Sequence, residues 1–127
     1  YINIIFRQIF KFLFNIGNLM KIYIIDIDGT ICTEFYLKDG SKDYNKAKPI
    51  KERVKKINNL FNKGNEIHYW TARGKVTGID HYDLTKNQLK KWGCNYTSLR
   101  VGDKPHYDVW IDDKAIFSED YFKKGNV

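Results

Sequence analysis

Apolar positions along this chain change their spacing several times, and each change marks an element. The run Ile22-Tyr23-Ile24-Ile25, β-branched and aromatic, reads as a buried strand, and Glu66 to Thr71 and Ser98 to Val101 read the same way. Between the first two, Pro49 opens a helix in which Ile50, Val54, Ile57, Leu60 and Phe61 make one stripe, with Gly64 to end it. Turn and capping groups from Thr77 to Asp83 lead into a second helix, carrying Leu84, Leu89 and Trp92 and ending at Gly93. A further strand is predicted at Tyr107 to Ile111, running into Asp112-Asp113, and Ser118 is placed to cap a terminal helix through Phe122. The turn-rich stretch Ile31 to Lys48, with Asp39-Gly40 as a hairpin signal, reads as a short flap. Strands alternating with helices predict an α/β fold, a parallel sheet with helices on its faces.

Residues 1–19 follow a different pattern. Ile2, Ile5, Phe6, Ile9, Leu13 and Ile16 recur at helical spacing with Asn3, Arg7, Lys11 and Asn15 between them, so an amphipathic helix is expected. Its unbroken apolar runs, such as Phe12-Leu13-Phe14, are no longer than three residues, too short to span a bilayer, and it lacks a signal-peptide core. Met20 is the only methionine and stands directly before the first strand. A native start there is therefore expected, with residues 1–19 an extension of little function and 20–127 the working domain; membrane-surface or partner binding is the alternative.

At 127 residues the chain holds one core and no substantial second lobe. With 43% hydrophobic and 29% charged residues it is ordinary globular material. The 22 Lys and Arg against 15 Asp and Glu give +7, which favours anionic substrates or surfaces without choosing among them. Lys46, Lys48, Lys51, Lys55, Lys56 and Lys63 read as a solvated face rather than a nucleic-acid patch. Cys32 and Cys94 are too few for a disulfide framework, which indicates a reducing, cytoplasmic compartment.

In an open α/β sheet, ligands bind beyond the carboxyl ends of the strands. Three such ends carry reactive residues: Asp26-Ile27-Asp28-Gly29-Thr30, Thr71-Ala72-Arg73 and Asp112-Asp113, with Lys104 in the loop before the last. Alternation throws Asp26 and Asp28 to one side, where two like charges need a cation or different protonation states. Gly29 lets the backbone turn so that the N–H groups of Gly29 and Thr30 are expected to face an anion. A carboxylate attacking a phosphate dianion requires positive charge at the crowded oxygens, and a hard divalent cation held by carboxylates supplies it.

These residues, in this order, resemble the haloacid dehalogenase (HAD) superfamily of phosphotransferases from Lys21 to about Phe122. Asp26 and Asp28 match its first motif, Thr71 its second, Lys104 its third and Asp112-Asp113 its fourth. The resemblance implies a Rossmann-like fold, Mg²⁺ as cofactor and Asp26 as the nucleophile that becomes an aspartyl phosphate. It further implies Asp28 as the acid and base, with its backbone carbonyl completing a metal set of Asp26, Asp28, Asp112 and Asp113. Gly29, Thr30, Thr71, Ala72 and Arg73 would hold the phosphate, and Lys104 would neutralise Asp26; Lys114 is its rival. Arg73 has a turn-capping alternative. His68 reads as a packed core histidine, His81 and His106 as substrate contacts or surface, and Cys32 as a small buried thiol.

Neither the flap nor Gly74 to Asp103 leaves room for a cap domain, so the protein is expected to be capless. An open site suits a bulky substrate, or a small one enclosed by a neighbouring subunit of a homo-oligomer. Tyr69-Trp70-Thr71-Ala72-Arg73-Gly74, Gly78-Ile79-Asp80 and the run from Lys104 to Ala115 resemble small capless HAD proteins of capsule and surface-polysaccharide biosynthesis. That resemblance implies a sugar phosphate or related metabolite as substrate. The alternatives are a polynucleotide end phosphatase and a non-catalytic interaction domain on the same fold.

Overall fold

A computed structural model of the chain describes residues 2–17 and 20–123; residues 1, 18, 19 and 124–127 lie outside the described residues, and with them parts of the two expected segments, 1–19 and 20–127. The elements are α1 (Ile2–Gly17), β1 (Ile22–Ile25), α2 (Lys51–Asn62), β2 (Glu66–Thr71), α3 (Tyr82–Lys91), β3 (Ser98–Val101) and α4 (Ser118–Tyr121). The strands pair in parallel in the order β1-β2-β3, with Ile25 beside Tyr69 and Tyr69 beside Leu99. This is the expected α/β class.

Alternation along the strands decides which face is covered. Ile25, Ile67 and Tyr69 are buried together with Val54 and Ile57 of α2, Leu89 of α3, and Ile27 and Ile31 just beyond β1. Both helices therefore lie on one face. Ile22 and Ile24 point to the other and stay 68% and 62% exposed, so that face is open among the described residues. On it, His68 meets Ser98 Oγ at 2.5 Å and Glu66 Oε2 at 2.9 Å. It is a surface-pinned histidine, not the core histidine expected.

No strand forms at Tyr107 to Ile111. Tyr107 packs edge-on against Trp110 at 4.9 Å, and Trp110 edge-on against Trp70 at 6.2 Å, while Val109 and Ile111 remain exposed. Strand propensity expresses fit to a neighbouring strand. Here ring contacts engage the aromatic residues instead, and Asp112-Asp113 end no strand.

The flap exists as expected: Tyr36 pairs antiparallel with Lys42, and the Gly40 N–H closes the turn on the Leu37 carbonyl at 3.0 Å. A short 3₁₀ turn, Tyr44–Lys46, follows it, and Gln88 Nε2 donates to the Tyr44 carbonyl at 2.6 Å, tying the flap to α3. Residues 74–103 hold only α3 and β3, so the fold is capless. α2 starts at Lys51 with Ile50 as its cap, because the Ile50 N–H is engaged by the Ile31 carbonyl at 2.8 Å. α4 is capped by Phe117, not Ser118, whose hydroxyl instead donates to the Gly29 carbonyl at 3.4 Å.

The loop after β2 turns at Gly74, where φ is +86° and an added Cβ would lie 2.0 Å from the Ile79 carbonyl oxygen. Gly74→Ala combines left-handed strain with a backbone clash, an expected loss of about 2–4 kcal/mol. It should show as a lower urea midpoint at unchanged slope. An unmoved midpoint would mean that Ile79 yields freely.

Candidate active site

Asp26 directly follows β1, and its side chain is 39% exposed, with Lys104 Nζ 3.1 Å from its Oδ1. Burial pushes its carboxyl above the usual range, Lys104 pulls it back, and the nearby Asp28 charge adds a smaller upward push. Lys104 is itself buried, its ammonium 5.6 Å from the Tyr107 ring centroid. Lys114 lies exposed on the acidic loop, its backbone N–H donating to Asp112 Oδ1 at 3.1 Å. The lysine that reaches Asp26 is Lys104.

Asp28 faces a different partner. Arg73 Nε donates to its Oδ2 and Arg73 Nη2 to its Oδ1, both at 2.8 Å, a bidentate pair with side chains 0% and 11% exposed. Arg73 Nη1 donates to Thr85 Oγ1 at 3.1 Å and Gln88 Oε1 at 2.6 Å, and the Tyr44 ring lies 4.8 Å from the guanidinium carbon. Nη2 also lies 3.9 Å from Cys32 Sγ, so each guanidinium nitrogen has a partner within the protein. Arg73 was expected to hold phosphate; it is turned inward and clamps Asp28, because a buried charge survives only when paired and hydrogen-bonded. Asp28 in this clamp is purely an acceptor, so a proton transfer through it requires the pair to loosen.

The backbone after Asp28 also departs from expectation. The Gly29 N–H donates to the Cys32 carbonyl at 2.9 Å and the Thr30 N–H to the Ile27 carbonyl at 3.1 Å. Neither is left to face an anion, since the turn satisfies its own polar groups. Gly29 is still favoured there, because φ is +75°, in the left-handed region. Thr71, 1% exposed at the end of β2, accepts the Arg73 N–H at 3.2 Å, and the Ala72 carbonyl accepts the Lys75 N–H at 2.8 Å.

Asp112 and Asp113 are exposed in the loop, with Asp112 also accepting from Trp110 Nε1 at 3.4 Å. Among the described residues no three His, Cys, Asp or Glu side chains stand together as a metal group would require. Carboxylates are the right donors for Mg²⁺. As placed, though, Asp28 gives both side-chain oxygens to Arg73 and the Asp112-Asp113 pair does not gather with Asp26, so the residues do not fit a preassembled metal centre.

Cys32 is buried, its thiol pushed up to about 12, first by burial and then by Asp28; it is the inert thiol expected. His81 precedes α3 and packs edge-on against Tyr44 at 4.9 Å, while His106 is exposed. Four residues that matter here went unread in the sequence: Tyr44, Thr85, Gln88 and Arg53. Thr85 and Gln88 had a signal, since both are polar on the α3 face that carries Leu89. Arg53 joins three segments, donating to the Thr30 carbonyl at 3.1 Å and to Glu119 Oε2 at 2.9 Å. Nothing local announced it or Tyr44.

No family model matches the chain, and no curated protein matches it at a significant level. Among solved structures, a structural-genomics target from Vibrio cholerae matches with a TM-score of 0.66 at 25% identity, over 80% of this chain and 87% of that one. A second Vibrio cholerae protein, provisionally assigned as a 3-deoxy-D-manno-octulosonate 8-phosphate phosphatase, matches with a TM-score of 0.44 at 19% identity, over 72% of this chain and 45% of that one. The first supports the parallel α/β fold along most of the chain. The second is too loose a match to carry function.

Proposed function

We propose that the chain is a HAD-type phosphomonoester hydrolase whose nucleophile is Asp26, acting on a sugar phosphate or related metabolite of surface-polysaccharide biosynthesis. The observation that carries this reading is the contact of 3.1 Å between Lys104 Nζ and Asp26 Oδ1 at the carboxyl end of β1. A partly exposed carboxylate held beside a buried ammonium can attack phosphorus while the ammonium offsets repulsion between the two anions. In this reading the Arg73 pair loosens and Asp28 takes up a proton from solvent; an Asp26 oxygen then bonds to phosphorus as the ester oxygen leaves, taking that proton from Asp28. A water then attacks the acyl phosphate, gives its proton back to Asp28 and releases phosphate, restoring Asp26. Mg²⁺ enters through the resemblance alone, since the carboxylates as placed do not gather into a metal site.

The test is phosphate release from sugar phosphates, nucleotides, phosphorylated DNA ends and para-nitrophenyl phosphate, with Mg²⁺ and with a chelator. Release from small monoesters that stops on chelation is expected. Preference for DNA ends, with steep salt dependence, would replace the substrate class by nucleic acid. Silence across the panel with Mg²⁺ present would leave an interaction domain.

Asp28→Asn sets an amide N–H₂ against the Arg73 guanidinium, so it should lower stability as well as stop proton transfer. On the folded fraction, phosphoenzyme trapped by acid quench should form slowly and persist. Unchanged steady-state rates would assign the proton to another group.

A further inference from the structure

The helix α1 stands apart from the domain chemistry. Between Ile2 and Leu13 every side chain is exposed, among them Ile2 at 84%, Phe6 at 66%, Phe12 at 65% and Phe10 at 62%. So many large apolar groups on one 16-residue helix are costly in water.

The helix has two sharply different sides. At about 100° per residue, Ile2, Ile5, Phe6, Ile9, Phe10, Phe12 and Leu13 fill an uninterrupted arc of about 160°. Asn3, Arg7, Gln8 and Lys11 occupy the opposite stripe, which Ile4 alone interrupts among the side chains described. That stripe carries two cations, and the helix has no acidic residue from Ile2 to Gly17. No helix among the described residues is long and apolar enough to cross a membrane. We propose that α1 lies in the plane of an anionic lipid surface, its Phe and Ile arc in the acyl boundary and Arg7 and Lys11 among the headgroups, tethering the α/β domain to the membrane.

Charge selects this occupant over others. A lipid surface with negative headgroups meets both features of α1 at once, an apolar arc and an opposite side whose charges are all positive, and the chain total of +7 adds to the attraction. A second copy of α1 would offer no negative charge to Arg7 or Lys11, and an arc this wide exceeds a two-helix seam. The open face of the sheet is a poor seat, because beside Ile22, Ile24 and Trp70 it carries Glu66, His68, Ser98 and Arg100. This reading departs from the expectation that residues 1–19 do little.

Flotation of the full chain with phosphatidylcholine vesicles, with and without phosphatidylglycerol, tests it. The protein should float with the anionic vesicles and much less with the neutral ones. Arg7→Gln with Lys11→Gln should weaken anionic binding about 20- to 30-fold, and Phe6→Asp with Phe10→Asp should abolish it. The urea midpoint of the domain should be unchanged in both variants. Failure of the full chain to float with anionic vesicles would overturn the proposal. So would equal flotation of the Phe6→Asp, Phe10→Asp variant, or sedimentation showing a dimer through α1 that ignores vesicles.

Discussion

Asp26→Asn is expected to lower phosphate release by about four to six orders of magnitude while the protein stays folded. The amide keeps the size of the carboxylate but cannot donate an electron pair to phosphorus as an anion does. Because the Asp26 side chain is 39% exposed, solvent already screens its pairing with Lys104, and melting should move by only a few degrees. Appreciable residual turnover would remove Asp26 as nucleophile. The pH profile gives an independent reading. Attack needs the ionised carboxylate, and burial holds its pKa above the ordinary 3.8, so kcat/KM should fall on acidification at a pH above that value. Lys104 pulls against this rise, so Lys104→Met should move the acid limb higher still. An acid limb unmoved by that substitution would mean that the charge at Asp26 does not set it.

Arg73→Met should be the most destabilising change in the chain, by about 3–5 kcal/mol. It strands Asp28 without either of its hydrogen bonds of 2.8 Å, and leaves the acceptors at Thr85 and Gln88 unmatched. Total stabilities of small domains are about 5–15 kcal/mol, so the loss is about a fifth of the total or more, and the variant should melt well below the parent. Asp28→Asn added to Arg73→Met should recover part of the loss, since it removes the unpaired charge. A melting temperature for Arg73→Met equal to the parent's would show that the pair contributes nothing to the fold. Strictly additive losses would show that the two side chains are not coupled.

The Arg73 result bears on how the site could be read from sequence. Thr71-Ala72-Arg73 stands at a strand end next to a carboxylate pair, and a cation there has two outlets, an incoming phosphate or a resident carboxylate. Sequence order does not separate them. The choice turns on Thr85 and Gln88 arriving from α3 and Tyr44 from the flap, residues 12, 15 and 29 positions away, which together bury the guanidinium and leave Asp28 as its counter-charge. The N–H groups of Gly29 and Thr30 pose the same problem on a smaller scale. A glycine after two carboxylates signals a tight turn, and such a turn can cradle an anion or close on itself through Ile27 and Cys32.

Periodicity was sufficient for β1, β2, β3, α2 and α3, because each buries one face or stripe against the same core and the apolar spacing records that burial. It also marked α1, whose apolar arc is there whether or not anything covers it. It failed at Tyr107 to Ile111, where aromatic and β-branched residues pack as rings on Trp70 instead of entering a ladder. What the order of residues determined by itself is the α/β class, the capless flap, and the placing of Asp26 at a strand end. Those follow from local spacing and from turns that few residues can make. Only the tertiary structure decided that Lys104 reaches Asp26, that Arg73 is consumed by Asp28, and that Asp112-Asp113 stay exposed without forming a metal group among the described residues. Pairing of distant charges depends on which side chains the core brings within about 3 Å and shields from water, and no local pattern records that.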